Sequence, residues 1–122
     1  MNDVQSRKWL VTINNPKEKG FGHDNLKTIL QGFKGCLYWC MSDEIGHEGG
    51  TYHTHIFLVC SGAVRFSTMK KRFGGAHFDV CKGTSSENRD YVFKCGRWSN
   101  TDKEDTRVED TQEEWGELPV ER

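Results

Sequence analysis

His53-Thr54-His55 sets two imidazoles two residues apart. In a strand, residues i and i+2 project from the same face, so both rings would reach one metal ion. Asp43 and Glu44 precede a glycine-rich connection at 46–50, from which a returning strand would bring a carboxylate beside the histidines. Two histidines and a carboxylate leave coordination positions open, the pattern of a catalytic rather than a closed structural divalent-metal centre. The pair alone also fits two surface histidines at this spacing by accident.

Tyr91-Val92-Phe93-Lys94 is the second candidate. A tyrosine oxygen can attack phosphorus and form a covalent ester. Its unperturbed pKa, near ~10, means that it needs help. On a helix, Tyr91 and Lys94 share a face, and the ammonium would offset charge on the phenolate or on phosphate oxygens. The plainer reading is an amphipathic tyrosine packed on a sheet beside a solvated lysine. Asn14 and Asn15, before Pro16, can bond base edges or nucleic-acid backbone, or simply form a turn.

Eight bases lie between residues 62 and 97: Arg65, Lys70, Lys71, Arg72, Lys82, Arg89, Lys94 and Arg97. Only Asp79, Glu87 and Asp90 oppose them, and Phe66, Phe73, His77 and Phe78 are interleaved. Cations among planar rings suit single-stranded nucleic acid, and equally a solvated helix face over core aromatics. Asn14, Asn15, Arg65, Lys70, Lys71, Arg72, Lys82 and Asn88 are taken as the nucleic-acid contacts.

The elements that must position these groups follow from local pattern. Residues 9–14 form a β-branched and aromatic run stopped by Pro16. Asp24 would cap a short helix with Leu26, Ile29, Leu30 and Phe33 on one face and Gly35 closing it. Stretches 37–45 and 52–60 read as an antiparallel hairpin, after which Ser61-Gly62 breaks the chain. A short basic helix at 67–73 and a fourth strand at 76–81 come next. Ser85 or Ser86 would cap a helix running to about Cys95, with Glu87 or Asn88 in its first turn and Gly96 as its stop. Residues 107–110 read as a late strand and 111–114 as a final turn before Trp115. The order β-α-β-β-α-β-α predicts an α+β sandwich of ferredoxin-like or RRM-like type, with a mainly antiparallel sheet of about five strands.

A chain of 122 residues fits one core. Aromatics at 11% are too abundant for disorder. No apolar run approaches the ~20 residues of a membrane span, and the polar residues 1–8 show no signal peptide. Five cysteines, an odd count without a Cys-x-x-Cys pair, argue against a disulfide framework or structural zinc and for reduced thiols in an intracellular setting. The net charge of -1 hides an asymmetry: residues 101–122 hold nine acids against three bases, which leaves the first 100 residues at +5. A basic body points to a polyanionic partner.

Val11-Thr12-Ile13-Asn14-Asn15-Pro16, His53-Thr54-His55 and Tyr91-Val92-Phe93-Lys94 occur in one order across roughly residues 7–98. Together they resemble the three motifs of the HUH endonuclease domain of rolling-circle replication initiator (Rep) proteins, of the single-tyrosine type found in circular single-stranded DNA viruses and related plasmids. Glu44, nine residues before His53, matches the upstream acidic ligand. Two positions depart from the pattern. Thr54 stands where the family usually has a hydrophobic residue, its methyl packing much as valine would, and Val11 stands where a bulkier side chain is common.

The resemblance implies a sequence-specific single-stranded DNA endonuclease and strand-transferase. Glu44, His53 and His55 would hold Mg2+ or Mn2+. Tyr91 would attack in line to give a 5′-phosphotyrosine and a free 3′-hydroxyl that primes replication, and Lys94 would position the phosphate or offset its charge. The partner would be single-stranded DNA at a replication origin, presented on a stem-loop, with no membrane involved. The fragment would be monomeric and would work in a host nucleus, or in the cytoplasm if plasmid-borne. A Gly-x-x-x-x-Gly-Lys-Ser/Thr loop is absent. Residues 1–100 are therefore expected to be the endonuclease core, either as the nuclease portion alone or as an excised piece, the favoured option, with 101–122 an acidic segment, a last strand and linker leading toward an absent helicase domain. The alternative is a non-catalytic, RRM-like single-stranded nucleic-acid-binding module, although the RNP-type run is missing. A two-histidine phosphoesterase would need two His-x-Ser/Thr elements, which neither His53-Thr54-His55 nor His55-Ile56-Phe57 supplies.

Overall fold

The computed structural model describes residues 3–46, 50–98 and 106–121. The acidic stretch 101–105 and Arg122, part of the expected linker, lie outside the described residues.

Strand β1 (Gln5–Asn14) alternates strictly, with Trp9, Val11 and Ile13 buried on one face. That alternation marks a strand whose two faces meet different environments. Helix α1 (His23–Gln31) follows a 3-10 turn at Pro16–Lys19. The hairpin is built from β2 (Cys36–Ile45) and β3 (Tyr52–Arg65). Helix α2 (Phe66–Arg72), β4 (His77–Val80), α3 (Ser85–Phe93) and β5 (Glu113–Gly116) complete the chain. The strands form one antiparallel sheet in the order β4-β1-β3-β2-β5. The α+β architecture is therefore the one expected.

The central position of β3 explains its unbroken buried run from Thr54 to Cys60, since both of its faces are covered. Against one face, Trp9, Val11, Ile13, Trp39, Met41, Ile56 and Leu58 meet Leu26 and Leu30 of α1 and Met69 of α2. Against the other, Tyr38, Cys40, Phe57 and Val59 meet Val92 and Phe93 of α3, with Leu118 alongside. Each fully buried aliphatic or aromatic side chain here contributes roughly 1.5–3 kcal/mol. All five cysteines are free thiols.

Several boundaries differ from the expectation. Helix α1 is capped by Gly22 rather than Asp24 and ends at Gly32 rather than Gly35. Strand β3 runs through Ser61-Gly62 to Arg65, because β1 continues to pair with it past a bulge. The α3 cap is Thr84, not Ser85 or Ser86. Its hydroxyl accepts the Glu87 N–H while the Glu87 carboxylate accepts the Thr84 N–H, a capping box worth about 1 kcal/mol. Residues 107–110 contribute only an isolated bridge, Glu44 to Arg107. The last strand is instead β5, on the edge beside β2, where a turn was expected.

Candidate active site

Within the hairpin, Glu44 stands opposite His53 and Ser42 opposite His55. The two-residue period then puts Glu44, His53 and His55 on the face that carries α3. The nitrogen and oxygen atoms they could offer a metal ion all lie within 4.8 Å of one another. Glu44 Oε1 is 3.5 Å from His53 Nε2, and Glu44 Oε2 is 3.2 Å from His55 Nδ1. His53 Nδ1 lies 3.0 Å from the Thr51 carbonyl, so that nitrogen carries the proton and leaves Nε2 as the inward lone pair. Asp43 is one residue away and therefore faces the opposite side of the sheet. It belongs to a different cluster and stands apart from the Glu44, His53 and His55 group.

The chain brings Tyr91 and Lys94 to this triad through α3. The Tyr91 ring stacks on His55 at 5.7 Å between centroids with 16° between planes, and Trp98 packs edge-on against it at 5.4 Å. Lys94 does not lie on the helix face with Tyr91. It is the C-cap, in the left-handed region at φ 53, with its N–H on the Asp90 and Tyr91 carbonyls. From there its side chain turns back under the Tyr91 ring, 3.5 Å from the centroid. The ammonium donates to the Tyr91 carbonyl at 2.7 Å and pairs with Glu44 Oε2 at 3.0 Å.

The charges follow from this packing. Burial alone would raise the Glu44 carboxyl, but His53, His55 and Lys94 outweigh it and hold the group well below the usual carboxylate range. His53 is raised, chiefly by Glu44 against the effect of burial. The Tyr91 phenol is raised by burial, with the charges of Glu44 and Asp79 adding to it, so it stays protonated. Glu44 Oε2 and His55 Nδ1 are buried and face each other, and the Lys94 ammonium closes on the same carboxylate oxygen. Glu44, Gly46, His53, His55, Tyr91, Lys94 and Thr106 line an open cleft of about 370 Å³.

The viral replication protein family model matches residues 6–95, which hold the triad, Tyr91 and Lys94. The chain belongs to this family. It is 32% identical over 101 residues to the master replication protein of Faba bean necrotic yellows virus (isolate Syrian SV292-88), covering 83% of this chain and 28% of that one. It is 29% identical to the replication-associated protein of Pigeon circovirus, covering 77% and 28%. The replication-associated protein of Human associated cyclovirus 1 (isolate Homo sapiens/Pakistan/PK5510/2007) is also 29% identical, over 80% of this chain and 34% of that relative. The chain thus spans about a third or less of the relatives' length.

In this viral replication domain the remaining sequence candidates scatter. Asn14 sits opposite His53 in the ladder, on the site face, and exposed Asn15 follows it in the left-handed region. Arg65, Lys70, Lys71 and Arg72 are exposed at α2, in the layer behind the sheet; Lys70 lies over Phe66 and Arg72 over Phe33. Asn88 donates to the Lys82 and Thr84 carbonyls and so holds the loop before α3. Exposed Lys82 belongs to that loop.

Sequence reasoning missed the contribution of 106–112. Thr106 Oγ1 donates to Glu44 Oε1 at 3.3 Å, and Arg107 reaches the Phe93 carbonyl at 3.4 Å. The Val108 N–H donates to the Asp43 carbonyl at 3.0 Å. Nothing in the local pattern of this polar segment signals these contacts. Among the described residues, no helix is long and apolar enough to cross a membrane.

Proposed function

We propose that this domain nicks and rejoins single-stranded DNA at a viral replication origin through a covalent 5′-phosphotyrosine on Tyr91. The observation that carries the reading is the stacking of Tyr91 on His55, itself one of three potential ligands gathered at one point. Two imidazoles and a carboxylate converging at one point, with Glu44 Oε2 and His55 Nδ1 buried and facing each other at 3.2 Å, fit a divalent cation, and Mg2+ or Mn2+ is the class proposed. Glu44, His53 and His55 would hold it. When bound, it supplies positive charge that polarises the scissile phosphate.

The protein's own groups do the rest. The bond from the Tyr91 oxygen to phosphorus forms as the bond from phosphorus to the 3′-oxygen breaks. The phenolic proton leaves to solvent and the 3′-oxygen takes one up. The ester is exchanged and not hydrolysed, so the reverse step joins strands. Lys94, locked beneath the ring, holds Tyr91 and Glu44 in one arrangement and offsets developing charge. Asn14, beside His53, is the candidate closest to a strand entering the cleft. The basic residues of α2, with Arg65, would serve DNA flanking the nick, and Lys82 the loop beside α3. The names of the viral relatives support a role in replication, from which an origin is proposed as the target. A stem-loop form of it, a helicase as partner, and action inside the host cell are parts of the same proposal.

The test is incubation with origin-type single-stranded DNA and Mn2+, followed by denaturing electrophoresis. An SDS-resistant adduct that requires Mn2+ and disappears in Tyr91→Phe is the expected result. Binding without any adduct across a panel of stem-loop origins would leave only a nucleic-acid-binding module.

A further inference from the structure

Behind the triad, on the opposite face of the same two strands, lies a second polar cluster centred on Asp43. Its carboxylate is buried and takes three hydrogen bonds. Thr54 Oγ1 donates to Oδ1 at 2.7 Å, His23 Nε2 to Oδ1 at 2.7 Å, and the Tyr52 hydroxyl to Oδ2. The Asp43 backbone is engaged as well, its N–H donating to Thr111 Oγ1 at 3.0 Å and its carbonyl accepting from Val108. His23 Nδ1 meets Glu113 of β5 at 2.6 Å, and Lys27 meets the same carboxylate at 2.6 Å.

We infer that Asp43 and Thr54 are positioning residues that fix Glu44, His53 and His55 relative to one another for a divalent cation. This rests on the metal site proposed above. Residues of the two clusters alternate along both strands: Asp43 precedes Glu44, while Tyr52 and Thr54 flank His53, with Thr54 between the two histidines. Asp43 and Thr54 are direct partners in the ladder, one step from the Glu44–His53 pair. A side-chain hydrogen bond at that step ties the β2 ligand to the β3 ligands from behind, so neither strand can twist or slip without breaking it.

The cluster acts through geometry and not through its field. His23 lies between two carboxylates, so both of its nitrogens donate and it is cationic. Asp43 and Glu113 are then balanced by His23 and Lys27. The Thr54 hydroxyl, in a position where a methyl would suffice for packing, therefore has a specific task. A valine there would fill the space but leave Asp43 Oδ1 with His23 alone.

The experiment measures Mn2+ affinity of the whole chain by electron paramagnetic resonance, beside thermal melting. Outer-shell partners of metal ligands typically contribute about 10–100-fold to affinity, so Thr54→Val should bind Mn2+ about tenfold or more weakly. Thr54→Ser, which keeps the hydroxyl, should restore affinity, and Asp43→Asn should weaken it. Leu30→Ala is the control for stability: it opens the α1 core and should lower the melting temperature while leaving affinity unchanged. Wild-type affinity in a folded Thr54→Val would overturn the inference while the metal site stood. So would a loss in Leu30→Ala equal to that in Thr54→Val. A wild-type chain that binds no Mn2+, or that binds it equally after His53→Ala, would overturn the metal reading itself and this inference with it.

Discussion

The Lys94 ammonium lies 3.0 Å from Glu44 Oε2, at a residue only 2% exposed, and its backbone occupies the left-handed region to get there. A lysine pays a conformational cost at φ 53 that glycine would not, and the buried ion pair offsets it. Removing one partner strands the other charge in a low-dielectric site. Lys94→Met should therefore destabilise the metal-free chain by about 3 kcal/mol. The Lys94→Met/Glu44→Gln double variant should lose less than the sum of the single changes, with a coupling of roughly 1 kcal/mol or more. Urea denaturation in chelator checks both. Strict additivity would mean that the two groups do not interact in solution.

This pair also shows where the sequence stopped being legible. The triad could be read because a period of two is local, and the antiparallel hairpin made Glu44 the partner of His53. Lys94 was legible as the neighbour of Tyr91 but not as a left-handed cap reaching Glu44, since i and i+3 spacing predicts a helix face. The helix ends at Phe93, and from the cap the Lys94 side chain reaches Glu44, a contact fifty residues away in the chain. Strand β5 was hidden for a similar reason. Glu113-Glu114-Trp115-Gly116 has poor strand character. Remote partners stabilise it: His23 and Lys27 on Glu113, and Arg89 and Tyr38 on Glu114. Thr54 was legible as a residue but not as a hydrogen bond, because its acceptor is set only by register.

The acidic C-terminal stretch should make the fold sensitive to acid. Bonds from Arg89 and then Tyr38 hold Glu114 down to about 2; although burial pushes Glu121 up, Lys8 and Ser85 pull it down to about 2. Both values lie below the ordinary 4.5, so the folded state binds fewer protons than the unfolded one. Their stabilisation is complete above about pH 4.5 and is lost as the pH falls toward 2. Melting temperature should drop across that window, and Glu114→Gln/Glu121→Gln should show a shallower slope. Parallel slopes would place these two carboxylates in solvent.

His23 carries the opposite sign. Its hydrogen bond to Asp43, then that to Glu113, raises it above 6.5 against the effect of burial. Its contribution is complete below 6.5 and is lost as the pH rises through the folded value. In chelator, wild type should lose melting temperature on the alkaline side, and His23→Gln should be less stable at pH 6 but flatter with pH. An unchanged alkaline slope in His23→Gln would show that the imidazole does not bridge β2 and β5.

Gly116 decides whether β5 can close the sheet. It sits at φ 90 opposite Tyr38, and a Cβ added there would lie 2.2 Å from the Leu37 carbonyl oxygen. That oxygen also accepts the Glu117 N–H at 3.2 Å, so it cannot move without releasing the strand's exit. Gly116→Ala combines left-handed strain with a backbone clash and should cost of order 1–3 kcal/mol. The loss should be local. Amide exchange should accelerate in residues 113–117 and along the β2 edge, while β1 and β3 keep their protection. The strand also presents Glu113 to His23, and through it to Asp43. Exchange at Asp43 and Glu44 should therefore rise in the same variant, and unaltered protection there would confine β5 to a decoration of the edge.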